Sequence, residues 1–94
     1  MSKAEIESHS ERAQALRTVL NHAVELSPDQ ATFVRELIDV GELGLAFAFL
    51  CEYLDDLGDP ISRADREIIN ALAPGLDSEK YARYLDDNPV KGSE

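Results

Sequence analysis

The chain has 94 residues, of which 19 are acidic and 9 basic, for a formal net charge of −10. That length allows one domain with one modest core, and the acid excess excludes nucleic acid and anionic membrane surfaces as direct partners while permitting a basic protein or plain solubility. A lone cysteine, Cys51, excludes an internal disulfide, and no stretch has the pattern of a signal peptide or the ~18 apolar residues of a membrane span, so a cytoplasmic protein is expected.

A first helix is expected from about Ala4 to Glu25, with a stripe of Leu16, Val19, Leu20, Ala23 and Leu26 behind a polar opening of Glu5, Glu7, His9, Ser10 and Glu11. The clearest start signal follows it. Ser27 can cap, Pro28 suits the first helical position and Gln30 completes a capping box, opening a second helix that carries Phe33, Val34, Leu37 and Ile38 and stops at Gly41. A third helix is expected from about Glu42 to Leu57. On a wheel of 3.6 residues per turn, Leu43, Ala46, Phe47, Leu50, Leu54 and Leu57 form an ordinary core stripe, Leu45 and Phe49 fall on the far side, and Tyr53 lies between. A helix apolar on more than one face is either central and touched on two sides or exposes a patch for a partner; both readings stay open. Gly44 would let another helix approach closely.

Ser62 is expected to cap a fourth helix, with Asp65 reaching back to the cap, Ile61 as a staple, and Ile68, Ile69 and Leu72 as its apolar face. Asp77 or Ser78 starts a short fifth helix with Tyr81, Tyr84 and Leu85. Nothing alternates with a period of two. The expectation is a compact all-α bundle of four to five short antiparallel helices over residues 1–87, followed by a disordered polar tail over residues 88–94.

The sequence offers little to catalysis. His9 and His22 stand thirteen apart on the first helix, and Cys51 lies at the border of the core stripe, where a small buried hydrophobe is its ordinary role. An activated Cys51 paired with His22 is the only enzymatic reading the residues permit. The DDLGDPIS stretch lacks the alternating ligands and terminal glutamate of an EF-hand loop, there is no Glu-x-x-His pair, and no glycine-rich phosphate loop. No catalytic residue, cofactor or metal site is expected, and the protein is read as not an enzyme.

A surface remains. Between Glu36 and Ser62 stand Glu36, Asp39, Glu42, Glu52, Asp55, Asp56 and Asp59, with no lysine or arginine among them. Acids at a helix carboxyl end oppose the helix dipole, so Asp55 and Asp56 do not serve helix stability. Glu42, Glu52 and Asp56 share the side of the third helix that shows Leu45 and Phe49. This is either a solubilising face or an electrostatic docking patch with Phe49 or Tyr53 as aromatic anchors.

The run RELIDVGELGLAFAFLCEYLDDLGDPIS and the isoleucine–leucine helix after it resemble the Maf-type immunity proteins of bacterial polymorphic toxin systems. The matching features are the ELID segment at 36–39, Gly41-Glu42, Gly44-Leu45-Ala46, Leu50-Cys51-Glu52, Leu54 and Pro60-Ile61-Ser62, within a resemblance over roughly residues 33 to 85. The resemblance implies a small cytoplasmic helical protein that binds and neutralises a cognate secreted toxin, often a nuclease, without enzymatic activity of its own. It names no contact residues, and Gly41, Gly44 and Cys51 are fold positions under it. A nuclease groove is basic because it holds a polyanion, so an acidic inhibitor could occupy or rim it. The expected partner-binding residues are therefore Asp39, Glu42, Phe49, Glu52, Asp56 and Asp59. The alternative is a small acidic regulatory adaptor or a homodimer pairing through its Leu45–Phe49 face.

Overall fold

The computed structural model describes residues 8–58 and 60–91. Five helices follow one another: α1 (His9–His22), α2 (Pro28–Asp39), α3 (Leu43–Leu57), α4 (Arg63–Gly75) and α5 (Glu79–Arg83). A single 3-10 turn (Tyr84–Asp87) extends α5, and two short extended pieces, β1 (Ile61–Ser62) and β2 (Val90–Lys91), pair in parallel, Ile61 with Val90 and Ser62 with Lys91. The protein is an all-α bundle, as its apolar periodicity predicts.

Local chemistry explains most boundaries. At α1 the Ser8 hydroxyl accepts from the Glu11 amide at 3.1 Å while the Glu11 carboxylate accepts from the Ser8 amide at 3.0 Å, a reciprocal capping box. The helix thus starts at His9, and Ala4–Glu7, expected in its opening, lie outside the described residues. Ser27 and Gln30 make the same reciprocal pair at α2, both bonds 3.1 Å, with Pro28 at the first position as its fixed φ favours. α2 closes by a paired motif in which the Gly41 amide donates to Ile38 O and the Glu42 amide to Leu37 O. That geometry puts Gly41 at φ +84°, a left-handed conformation that a side chain disfavours.

One capping expectation is corrected and one alternative is resolved. Ser62 does accept from the Asp65 amide at 3.0 Å, but the Asp65 carboxylate turns instead to His22, so the box is one-sided. Of Asp77 and Ser78, it is Ser78 that holds the cap position of α5, though its hydroxyl donates to Leu76 O at 2.9 Å and makes no capping bond. Asp77, expected to open α5, closes α4: it sits at φ 53° with its amide on Pro74 O, while the Ser78 amide reaches Ala73 O. Aspartate tolerates this left-handed position better than most residues.

The core gathers around α3. Leu43, Ala46, Phe47, Leu50, Cys51 and Leu54 pack inward against Leu16, Val19 and Leu20 of α1, Val34 and Ile38 of α2, Ile69 and Leu72 of α4, and Ala82 and Leu85 beyond. Phe47, Leu50 and Cys51 are almost wholly buried. Leu57, expected in the stripe, is 39% exposed, because the helix ends there and leaves the core. Gly44 has a different role from the one its size suggested: a Cβ there would meet nothing within 4 Å, so no helix crosses at it. The close approach is at Gly75. A Cβ on Gly75 would lie 2.8 Å from Nη2 of Arg12, whose guanidinium rests on the last turn of α4, where a cation suits the helix dipole.

The tail is also corrected as far as it is described. Asn88 is buried and donates through Nδ2 to Leu54 O at 3.1 Å, and the Ile61 amide donates to Pro89 O at 2.9 Å. Arg66 of α4 donates to Leu85 O and, at 3.2 Å, to Asn88 O. Its Nη1 stands 3.8 Å from the Asp86 carboxylate. The segment from Tyr84 to Lys91 is thus a strap across the ends of α3 and α4. Residues 92–94 lie outside the described residues.

Candidate protein-docking face

The outer side of α3 is written at helical spacing. From Glu42, which occupies the cap position of α3 without a side-chain bond, the series Leu45, Phe49, Glu52 and Asp56 advances by three or four residues and stays on one face. Leu45 is 50% exposed, Glu42, Glu52 and Asp56 are exposed, and Phe49 and Tyr53 are half-buried. The inner stripe of this helix is the centre of the core, and its outer stripe meets α2 where Phe49 touches Phe33.

Those rings form a row. Phe33 of α2 meets Phe49 edge-on, with centroids 4.9 Å apart and planes at 81°, and Phe49 lies 6.1 Å from Tyr53 at a tilt of 38°. Edge-to-face pairs of this kind are worth about 0.5–1.5 kcal/mol beyond the area they bury. The row is held from beneath yet shows its upper edge, since Phe33 itself is 39% exposed. Phe33 was expected on the apolar face of α2 and was not among the expected contacts. Its signal was present: Val34 and Ile38 fix the inward direction, and Phe33 stands about 100° from Val34, at the margin of that face. Arg35 falls about 160° around α2 from Phe33, away from the rings, and α3 itself contains no lysine or arginine.

The expected partner-binding residues do not all gather. Glu42, Phe49, Glu52 and Asp56 share the outer face. Asp39 does not belong to it as an uncompensated acid, because its carboxylate pairs with Arg17 of α1 at 2.5 Å, the two side chains 57% and 39% exposed. A pair so exposed contributes at most about 1 kcal/mol, but it cancels the charge locally. The proximity of Arg17 arises from the packing of α1 on α2, which spacing along the chain does not reveal. Asp59 lies outside the described residues. Asp55 is exposed on the flank of α3, about 100° around from Asp56.

Cys51 and His22 do not form a catalytic pair. Cys51 is buried, and burial, aided by the neighbouring Glu52 charge, pushes its thiol from 9.0 up to about 12. A thiol held protonated at neutral pH is a poor nucleophile. His22 instead places Nδ1 2.8 Å from Asp65 Oδ1. Among the described residues, no three histidine, cysteine or acidic side chains come together as a metal site, and no helix is long and apolar enough to cross a membrane.

No family model, curated protein or solved structure matches the chain.

Proposed function

We propose that this protein binds a basic protein partner through the outer face of α3 and the adjoining edge of α2, and that it acts as an inhibitor of that partner. The observation that carries the reading is the ring row Phe33–Phe49–Tyr53, half out of the core, beside Glu52 and Asp56 on a helix with no cation of its own. Aromatic groups already packed on one edge lose little conformational freedom on binding, which makes them effective anchors. Carboxylates beside them raise the encounter rate with a positive surface and penalise an acidic one. Asp55 and Asp56 oppose the dipole of α3 at a cost of about 0.3–1 kcal/mol each, a cost that a partner's cations would offset.

The identity of the partner as a secreted toxin rests on the resemblance to Maf-type immunity proteins. Under that reading the partner is a nuclease-like domain with a basic groove, the inhibitor is cytoplasmic and has no catalysis of its own, and the face mimics a run of phosphates. The test is stopped-flow association with the carboxyl-terminal domain of a secreted protein encoded beside this one. Stoichiometric binding whose association rate falls steeply with added salt supports the reading. An association rate indifferent to salt removes the steering role, and no complex removes the inhibitor role.

One rival has its own observation. Leu45 is the most exposed apolar residue on the outer face of α3, and a second copy could cover it. Sedimentation at micromolar concentration decides between them: a stable dimer dissociated by Leu45→Glu favours self-pairing, and a monomer leaves the face for another protein.

A further inference from the structure

A recess lies at the end of the bundle where α1 and α3 stop and α4 begins. It is an open cleft of about 440 Å³ whose walls include Val19, Ala23, Leu54 and Ile61, with Asn21, His22, Glu25, Ser62 and Asp65 as its polar lining. Among the described side chains no lysine or arginine lines it. Asp65 is 7% exposed, and its carboxylate makes one hydrogen bond, through Oδ1 to His22 Nδ1. Asp65 Oδ2 has no partner among the described residues. An ionised carboxylate only accepts, so Nδ1 must be the donor and Nε2 is left as the free ring atom of a side chain that is 58% exposed.

We infer that this cleft receives an arginine or lysine side chain of the protein partner. The chemistry is specific in sign and in shape. A carboxylate that is nine-tenths buried and keeps an oxygen open to the cleft attracts a cation, and a low-dielectric wall strengthens that attraction. Apolar Val19, Ala23, Leu54 and Ile61 suit the methylene stem of a long basic side chain, whose charged head then meets Asp65 with Glu25 at the rim. Guanidinium fits best, since its planar fork matches a carboxylate where ammonium is a point charge. Val24 stands 77% exposed at the cleft lip, where the backbone around an inserted side chain would meet it. The inference rests on the reading of a basic protein partner and adds to it a named anchor site away from the ring row.

The experiment uses the full chain, isotope-labelled, without any partner. N-acetylarginine methylamide is titrated in and followed through the amide spectrum and the His22 ring signals, with the neutral isostere N-acetylcitrulline methylamide in a parallel titration. Saturable shifts at His22, Val24 and Ile61 with the arginine probe, and none with citrulline, are expected. Asp65→Asn should weaken the arginine probe about tenfold, the loss of a charge-assisted contact, and His22→Gln should weaken it too by removing the ring that holds the carboxylate in place. His22→Gln alters a side chain largely in solvent and keeps the test valid if Asp65→Asn disturbs the fold. Equal shifts from citrulline, no saturable shift at His22, or a His22→Gln protein that binds like the parent overturns the inference. Failure here leaves the Phe49 face untouched, whereas loss of partner binding with the arginine site intact removes the docking reading instead.

Discussion

The outer face of α3 and the carboxyl-terminal strap treat polar groups in opposite ways. In the strap side-chain donors have been brought to backbone acceptors: Arg66 bonds two carbonyls through Nη2, Asn88 reaches Leu54 O, and Ile61 and Pro89 are joined by a backbone bond. On α3, acids crowd the wrong end of the helix, and its Phe49 and Tyr53 rings, with Phe33 of α2 beside them, stop half-way into the core. One region serves stability and the other sacrifices some of it. Substitutions in the two should therefore separate folding from binding.

The largest effect on folding is expected from Arg66→Ala. It takes the charged donor away from Leu85 O, which keeps the Asn88 amide, and from Asn88 O, and bonds to a charged donor are worth about 1.5–3 kcal/mol each. A loss of about 3 kcal/mol in urea denaturation is expected, a large part of what a domain this size possesses. Asn88→Ala should cost about 1 kcal/mol by removing the Nδ2 bond to Leu54 O, which keeps its bond from the Gly58 amide. Partner affinity of the folded protein should not change in either variant. If Arg66→Ala weakened binding while stability held, the division between the two regions would fail.

Phe49→Ala reverses the pattern. A half-buried ring leaves no sealed cavity, so the folding cost should stay near 1–2 kcal/mol, below the usual value for a core phenylalanine. Binding should lose about 2 kcal/mol or more, roughly thirtyfold in Kd, measured by calorimetry. Phe33→Ala should show a smaller binding loss through the same edge contact.

Cys51 supplies a pH test from the inner side of the same helix. In the fold its thiol stays protonated to about pH 12, whereas the unfolded chain ionises it near 9.0. Stability from this group is therefore complete below pH 9 and falls between 9 and 12, by about 1.4 kcal/mol per pH unit. Cys51→Ala lacks that slope, and the difference between the two proteins cancels tyrosine and lysine titration. Thiol reagents should label the native protein only as fast as it opens. Rapid labelling at neutral pH would mean that the inner stripe of α3 is not closed.

The double reversal Glu52→Lys with Asp56→Lys should slow association about tenfold, flatten its salt dependence and leave the dissociation rate nearly unchanged. It should also raise stability slightly, since a cation replaces Asp56 in the last turn of α3. Asp55→Asn is the internal control: the same small gain in stability, with association unaffected, because Asp55 faces the flank. Should Asp55→Asn slow association as much, the acids act through net charge and not as a face.

How much of this was legible follows from the range of the interactions. The boxes at Ser27–Gln30, the stop at Gly41 and the inner stripe of α3 are local, fixed by residues three or four apart, and the sequence displays them. Asp39–Arg17, His22–Asp65 and Asn88–Leu54 join residues 22, 43 and 34 positions apart, and each changed a reading. Asp39 left the acidic face, Asp65 left its expected cap, and the polar tail acquired a strap. In each case a side chain with an adequate local role found a better distant one, and periodicity carries no information about that choice.

The smallest predicted effect tests the junction that feeds the strap. Asp77 occupies a left-handed position, φ 53°, in the turn that closes α4, and there the Ser78 amide reaches back to Ala73 O. An L residue is disfavoured in that conformation, though aspartate less than most, while glycine adopts it freely. Glycine also raises the entropy of the unfolded chain, which subtracts from the gain. The net expectation for Asp77→Gly is a stabilisation of about 0.5 kcal/mol, seen as a small rise in Tm, with no change in partner affinity. A loss of stability would show that the Asp77 side chain does more at the turn than its backbone does. The strap would then hang on a polar contact at Asp77 as much as on those of Arg66 and Asn88.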